Sequence, residues 1–222
     1  MDKLSDKLRI FKFAVKHRVW FLLISILMLI IIPPYLSENP DVVDFYVKLD
    51  FLLIVLACFF IIHHNPWSRY LSILTFLLVI IDKFLEHDVL NYLSQVGISI
   101  LIFNAFFLVL REAISLKSES RNMILVSITG YFIIGLIGGF FADGLDQMYP
   151  GSYSYSTGME LEVYNYIYFS FVTMTTLGYG DIIPVNNKSQ SLALILVMSG
   201  QLYLSVIIAI NISKFLQTKT KN

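Results

Sequence analysis

"VYNYIYFSFVTMTTLGYGDII", residues 163–183, decides how this chain is read. Its first part, 163–174, is apolar and aromatic, enough for about three helical turns but short of the roughly 20 residues that cross a bilayer. The next seven residues, "TTLGYGD" (175–181), carry two glycines, a tyrosine and an acid that a lipid-facing helix could not use. Non-helical backbone at membrane depth survives only where protein buries it or where it lines water. The pattern therefore predicts a short re-entrant helix followed by an extended segment. Gly178 and Gly180 stand two apart around Tyr179. Successive carbonyls of an ordinary strand point in opposite directions, and a row facing one way needs backbone angles open mainly to glycine. The helix end beside that row would carry partial negative charge, favourable to a cation.

Composition sets the surroundings. The chain has 222 residues, 57% of them hydrophobic and 15% aromatic, with a mean hydropathy of +0.72. That much apolar side chain exceeds what one soluble core hides, so the class is integral membrane protein, in contact with a lipid bilayer. Sixteen basic and 16 acidic residues give a net charge of zero, against nucleic acid as a partner. No small-molecule ligand is evident. Cys58 is the single cysteine, inside an apolar run. It reads as a buried hydrophobe.

Six apolar spans are expected, near 17–36, 46–63, 68–84, 92–110, 123–142 and 192–212. A basic approach helix precedes the first (Lys3, Lys7, Arg9, Lys12, Lys16, Arg18). With the N-terminus inside, all of the 16 basic residues except Lys48, Lys83 and Lys188 fall on the cytoplasmic side, as the positive-inside rule favours. Both termini are then cytoplasmic, in a multi-pass protein of the cell membrane, and 143–190 faces outward. The polar stretch "REAISLKSESRN" (111–122) suggests two parts, a four-helix unit at 1–117 and a two-span unit at 118–222. "SYSYST" (152–157) reads as an exposed extracellular turret.

"TMTTLGYGD" (173–181) resembles the potassium-channel signature, whose usual core is Thr-Val-Gly-Tyr-Gly; here Leu177 stands in the valine position. The resemblance covers about 121–216: outer helix, pore helix, filter and inner helix. It implies an all-α membrane protein with a re-entrant pore helix and an extended selectivity filter, built as a homotetramer around one axis. It further implies that Thr176, Leu177, Gly178 and Tyr179 offer K+ their carbonyls, with Gly180 completing the filter. Thr175, Tyr168 and Phe169 would support the filter, with Tyr179 braced on Tyr168 and Phe169, and Asp181 would sit at the outer mouth. Permeant K+ is then the only ion required, and no cofactor. The family often places a hinge glycine in the inner helix, where Gly200 lies. Leu204, Ile208, Ile212 and Leu216 follow on one helical face, which either lines the axis as a constriction or packs on the outer helix.

The six-span plan also resembles voltage-gated cation channels, but the fourth span, "NYLSQVGISILIFNAFFLVLREA", has only Arg111, at its inner end. Steep voltage gating needs three or four charges per subunit. Acids to pair with such charges inside the membrane are not evident in the first four spans. Gly130, Gly135, Gly138 and Gly139 suggest close helix packing in the fifth span. Asn104 suggests an interhelical hydrogen bond, and His63 and His64 solvated interface residues. No His-Glu-x-x-His or Gly-x-Ser-x-Gly pattern points to an enzyme. The reading is a passive, K+-selective channel without strong voltage gating; the alternatives are a weakly selective cation channel or a non-conducting accessory subunit.

Overall fold

The computed structural model describes residues 17–36, 40–62, 66–85, 88–114, 120–155 and 162–219. The basic approach segment, His63, His64 and the end of the "SYSYST" stretch lie outside these residues. The helices are α1 (Arg18–Ile31), α2 (Pro33–Leu36), α3 (Pro40–Ile62), α4 (Pro66–Leu85), α5 (Asp88–Ile114), α6 (Ser120–Met148), α7 (Val163–Met174) and α8 (Asn187–Lys219). Two short strands, β1 (Tyr153–Tyr155) and β2 (Ile182–Pro184), complete the described elements. Among the described residues, three helices are long and apolar enough to cross a membrane: Leu93–Arg111, Met123–Met148 and Asn187–Ser213.

The chain divides into two compact units, Met1–Val109 and Leu110–Asn222, with the boundary inside α5. In the first unit α1 packs on α3 and α3 on α4, and Gly97 on α5 sits so close to Thr75 on α4 that a Cβ there would lie 2.9 Å from its Oγ1. The first expected span is not one helix. α1 stops at Ile31 and α2 begins at Pro33, because two successive prolines (Pro33, Pro34) lack the N–H groups that would continue the ladder; Ile32 itself keeps helical angles and donates to Met28 O at 3.0 Å. α1 alone is roughly 21 Å long. The second expected span also holds an acid that the sequence reading did not single out. Asp50 on α3 is buried and neither carboxylate oxygen has a hydrogen-bond partner.

In the second unit α6 packs on both α7 and α8, and α7 on α8. The glycines of α6 make this possible. A Cβ on Gly139 would lie 2.7 Å from Ile167 Cα on α7. One on Gly135 would overlap the Phe171 ring, and one on Gly130 the Tyr203 hydroxyl of α8. Tyr203 uses that proximity to donate to Ser127 O, 2.9 Å away. Small residues thus bring three backbones together where lipid offers no hydrophobic drive between helices.

The turret differs from expectation. β1 pairs antiparallel with β2, Ser154 opposite Ile183, so "SYSYST" begins as a strand with Ser152 and Tyr153 buried. Alternation supplies the reason: Tyr153 turns inward to Tyr166, Phe169, Ile182, Ala142 and Leu196, while Ser154 faces out. Backbone donors that would otherwise be orphaned are spent in the ladder.

Candidate functional site

α7 is fixed at both ends by its own flanks. At the start, Asn165 Oδ1 accepts the Glu162 N–H at 2.9 Å, which satisfies a donor that a helix start leaves unpaired. At the finish, the orphan carbonyls of the last turn accept N–H groups from the following segment. Thr175 N–H donates to Phe171 O (3.0 Å), Thr176 to Thr173 O (3.0 Å), and both Leu177 (3.0 Å) and Gly178 (3.3 Å) to Val172 O. The Thr175 hydroxyl also donates to Phe171 O at 2.6 Å. Four amides of the "TTLG" stretch therefore bind three of the last carbonyls of the helix.

With those donors turned back onto α7, the backbone of 176–180 follows an alternating course. φ is +63° at Thr176, +56° at Gly178 and +80° at Gly180, and Leu177 and Tyr179 between them have negative φ. Among the described residues Thr176 is the one non-glycine in this region of the map. Alternating the sign of φ rotates each peptide plane against the next, which is how carbonyls can come to face one way. Residues 175–180 are exposed in the single chain, and nothing approaches within 4 Å of where a Cβ would stand on Gly178 or Gly180. Conformation, rather than crowding by this chain, requires glycine there.

The aromatic and acidic neighbours separate into two groups. Tyr168 donates its hydroxyl to Asp181 Oδ2 at 2.6 Å, while Asp181 Oδ1 accepts the Ile182 N–H at 3.0 Å. α7 and the residue after Gly180 are thereby joined. Burial, with the bond to Asp181 next, pushes the Tyr168 hydroxyl up from the ordinary tyrosine value. Phe169 points elsewhere: its ring meets Tyr153 edge-on at 5.1 Å, and the Tyr179 side chain is exposed. Within one chain the expected brace of Tyr179 on Phe169 is absent.

α8 starts earlier than the expected span because Asn186 caps it, its Oδ1 accepting the N–H of Lys188 and Ser189 at 3.0 Å each. Further along, Gly200 lies against the end of α7, where a Cβ would be 2.9 Å from Met174 O. The helix continues unbroken through it. Of the lower stripe, Ile208 and Ile212 are 53% and 55% exposed, whereas Ile207 on the neighbouring face is 5% exposed. Ile207 and Tyr203 therefore mark the buried face of α8. Ile208 and Ile212, with the borderline-exposed Leu204, lie off it. Leu216 lies on α8, its side chain outside the described residues.

Sequence reasoning missed Ser152 and Asp146. Ser152 N–H donates to Asp146 Oδ1 (2.7 Å), its hydroxyl to Tyr149 O (2.5 Å), and its carbonyl accepts the Val185 N–H (2.9 Å). Asn186 Nδ2 donates to Ser152 Oγ at 2.7 Å. One buried serine so ties the end of α6, the turret and the start of α8. Its only signal in sequence was a small polar residue after Gly151.

Residues 122–217, which run from the start of α6 to the end of α8, match the protein family described as "Ion channel". The match supports ion-channel activity carried by the second unit. No curated protein matches the chain.

Proposed function

We propose that the chain is one subunit of a homotetrameric, potassium-selective channel that passes K+ passively across a cell membrane. Thr176, Leu177, Gly178, Tyr179 and Gly180 form the filter. One observation carries this reading: φ is positive at 176, 178 and 180 while the amides of 175–178 are bound back to α7. The carbonyls of the same stretch are left free for a cation, and rings of such oxygens can replace its hydration shell. A single chain supplies only one side of such a ring, and its filter residues stand exposed. Four copies around an axis complete the coordination and cover them. Asp181 holds the outer mouth through Tyr168. Leu204, Ile208, Ile212 and Leu216 line the inner mouth and Gly200 serves as hinge, a reading supported by the exposure of Ile208 and Ile212. The six-span arrangement, with a four-helix unit at 1–117, a pore unit at 118–222 and both termini cytoplasmic, belongs to the same proposal.

The test is reversal potential in liposomes with opposed K+ and Na+ gradients. A reversal near the K+ equilibrium value is expected, and Gly178→Ala should abolish it, since each left-handed alanine costs about 1–2 kcal/mol. Reversal near zero in the unsubstituted protein would refute selectivity.

A further inference from the structure

A second group of titratable side chains lies outside the filter. About 20 residues suffice for the hydrocarbon, and the expected span 123–142 leaves the last residues of α6 at its outer end. There Asp143 and Asp146 stand three residues apart on one face. Asp146 uses both oxygens as acceptors, Oδ1 from Ser152 N–H at 2.7 Å and Oδ2 from the Tyr166 hydroxyl at 2.5 Å. Asp143 is buried, and its Oδ2 accepts from Gln147 Nε2 at 3.0 Å. Tyr153, also buried, packs edge-on against Tyr166 at 5.5 Å, and its hydroxyl has no partner. Burial and then the charge on Asp146 push that hydroxyl up.

Among the described residues no cation pairs with Asp143 or Asp146. The titratable groups of the surrounding elements are Tyr149 after α6, Tyr153 and Tyr155 on β1, Glu162, Tyr164, Tyr166, Tyr168 and Asp181 on and beside α7, and Lys188 on α8, with Tyr203 farther down against Gly130; β2 has none. The Lys188 ammonium sits 3.0 Å over the Tyr149 ring. Tyr168 is committed to Asp181 and Tyr203 to Ser127. Two carboxylates one turn apart, one buried and the other fully engaged as an acceptor, leave a deficit of one positive charge.

We propose that Asp143 is a proton-binding site, while Asp146 remains the acceptor that holds Tyr166 and Ser152. The proton comes from solvent on the side of the turret, which is extracellular on the topology proposed above. It returns there when pH rises. Its loss places a second negative charge beside Asp146, at the junction that fixes the turret strand to the pore helix.

Infrared spectroscopy of the reconstituted full-length protein reads occupancy directly and requires no current. It therefore distinguishes failure of this site from failure of the channel reading. A protonated-carboxyl band is expected to persist above the pH at which an ordinary aspartate, of pKa about 3.9, ionises. The band should fade as pH rises, and Asp143→Asn should remove one component of it while leaving that of the buried Asp50. Gln147→Leu removes a donor that favours the ionised form, so the same band should survive to higher pH. Identical spectra for the unsubstituted protein and Asp143→Asn, or no shift with Gln147→Leu, would overturn the assignment. In flux measurements, stepping external pH should alter K+ transport and stepping internal pH should not. Asp143→Asn should lose the external response. A response to external Ca2+ at fixed pH in place of the pH response would assign the pair to a metal and reject the proton site.

Discussion

Alanine at Gly139 and alanine at Gly144 make a matched pair, since both glycines lie in the same helix and differ only in what faces them. A Cβ at Gly139 would lie 2.7 Å from Ile167 Cα and 3.0 Å from Ile167 N, whereas nothing lies within 4 Å at Gly144. Ordinary carbon contact needs about 3.5–4.0 Å. The obstructing atoms are backbone and cannot rotate away, so α6 and α7 must part by roughly 1 Å. A gap of that size forfeits a quarter to a half of the dispersion energy along the contact. Overpacking of this kind costs about 1–3 kcal/mol, partly offset by the roughly 0.8–1 kcal/mol of helix propensity that alanine brings. Gly144→Ala collects the propensity gain alone. The two variants should therefore differ by about 1–3 kcal/mol, read as denaturant midpoints of the purified protein in detergent. Because α7 carries the proposed filter, Gly139→Ala should also degrade ion discrimination while Gly144→Ala leaves it intact. Equal stability in the two variants would refute the claim that glycine at 139 exists to admit the pore helix.

Tyr168→Phe removes the hydroxyl bound to Asp181; about 1 kcal/mol is expected, the low end for a charged acceptor because both groups are part-exposed. Current that decays faster during sustained conduction would show the loss. The same bond sets an alkaline limit. A hydroxyl raised above the ordinary value of about 10 stabilises the folded filter below that pH, and the contribution disappears as pH climbs through the raised value. K+ flux should therefore hold steady to about pH 10, and an earlier decline would contradict the bond. Voltage steps should change open probability only shallowly, because Arg111 is the one basic residue of the fourth expected span, worth at most about 2.3 kcal/mol per 100 mV. A steep conductance–voltage curve would show that charges elsewhere move in the field.

The short helix α7 and the left-handed glycines after it were legible because their requirement is local: glycines two apart, after a helix too short to cross, leave few backbones to choose from. The α6 glycines were legible as packing, though nothing in the sequence distinguished Gly139, which meets backbone, from Gly144, which meets nothing. Pro33 and Pro34 stood in plain view and should have divided the first span. The β1–β2 ladder was hidden for a different reason. Three residues of alternating tyrosine and serine become a strand only when a partner separated by the whole pore helix arrives beside them. Asp146 and Ser152 were hidden likewise, since their roles come from meeting Tyr166 and Asn186 in space. Asp50 was passed over because burial depends on which face of α3 meets its neighbours, and an acid in a mixed run does not announce its face.

The amides of Leu177 and Gly178 share Val172 O, which makes the pore helix and the segment after it one cooperative unit. A peptide plane in that segment cannot invert by itself, because the inversion would strip a donor from the helix end and leave a carbonyl bare at membrane depth. Unwinding of the last helical turn would in turn release the segment. Fluctuations of the two should share one opening free energy, so amide hydrogens of 175–178 should exchange with solvent in step with those of the final turn of α7. On the function proposed, the ion pathway is only as rigid as the helix behind it, and an event that frays that helix becomes an event in conduction.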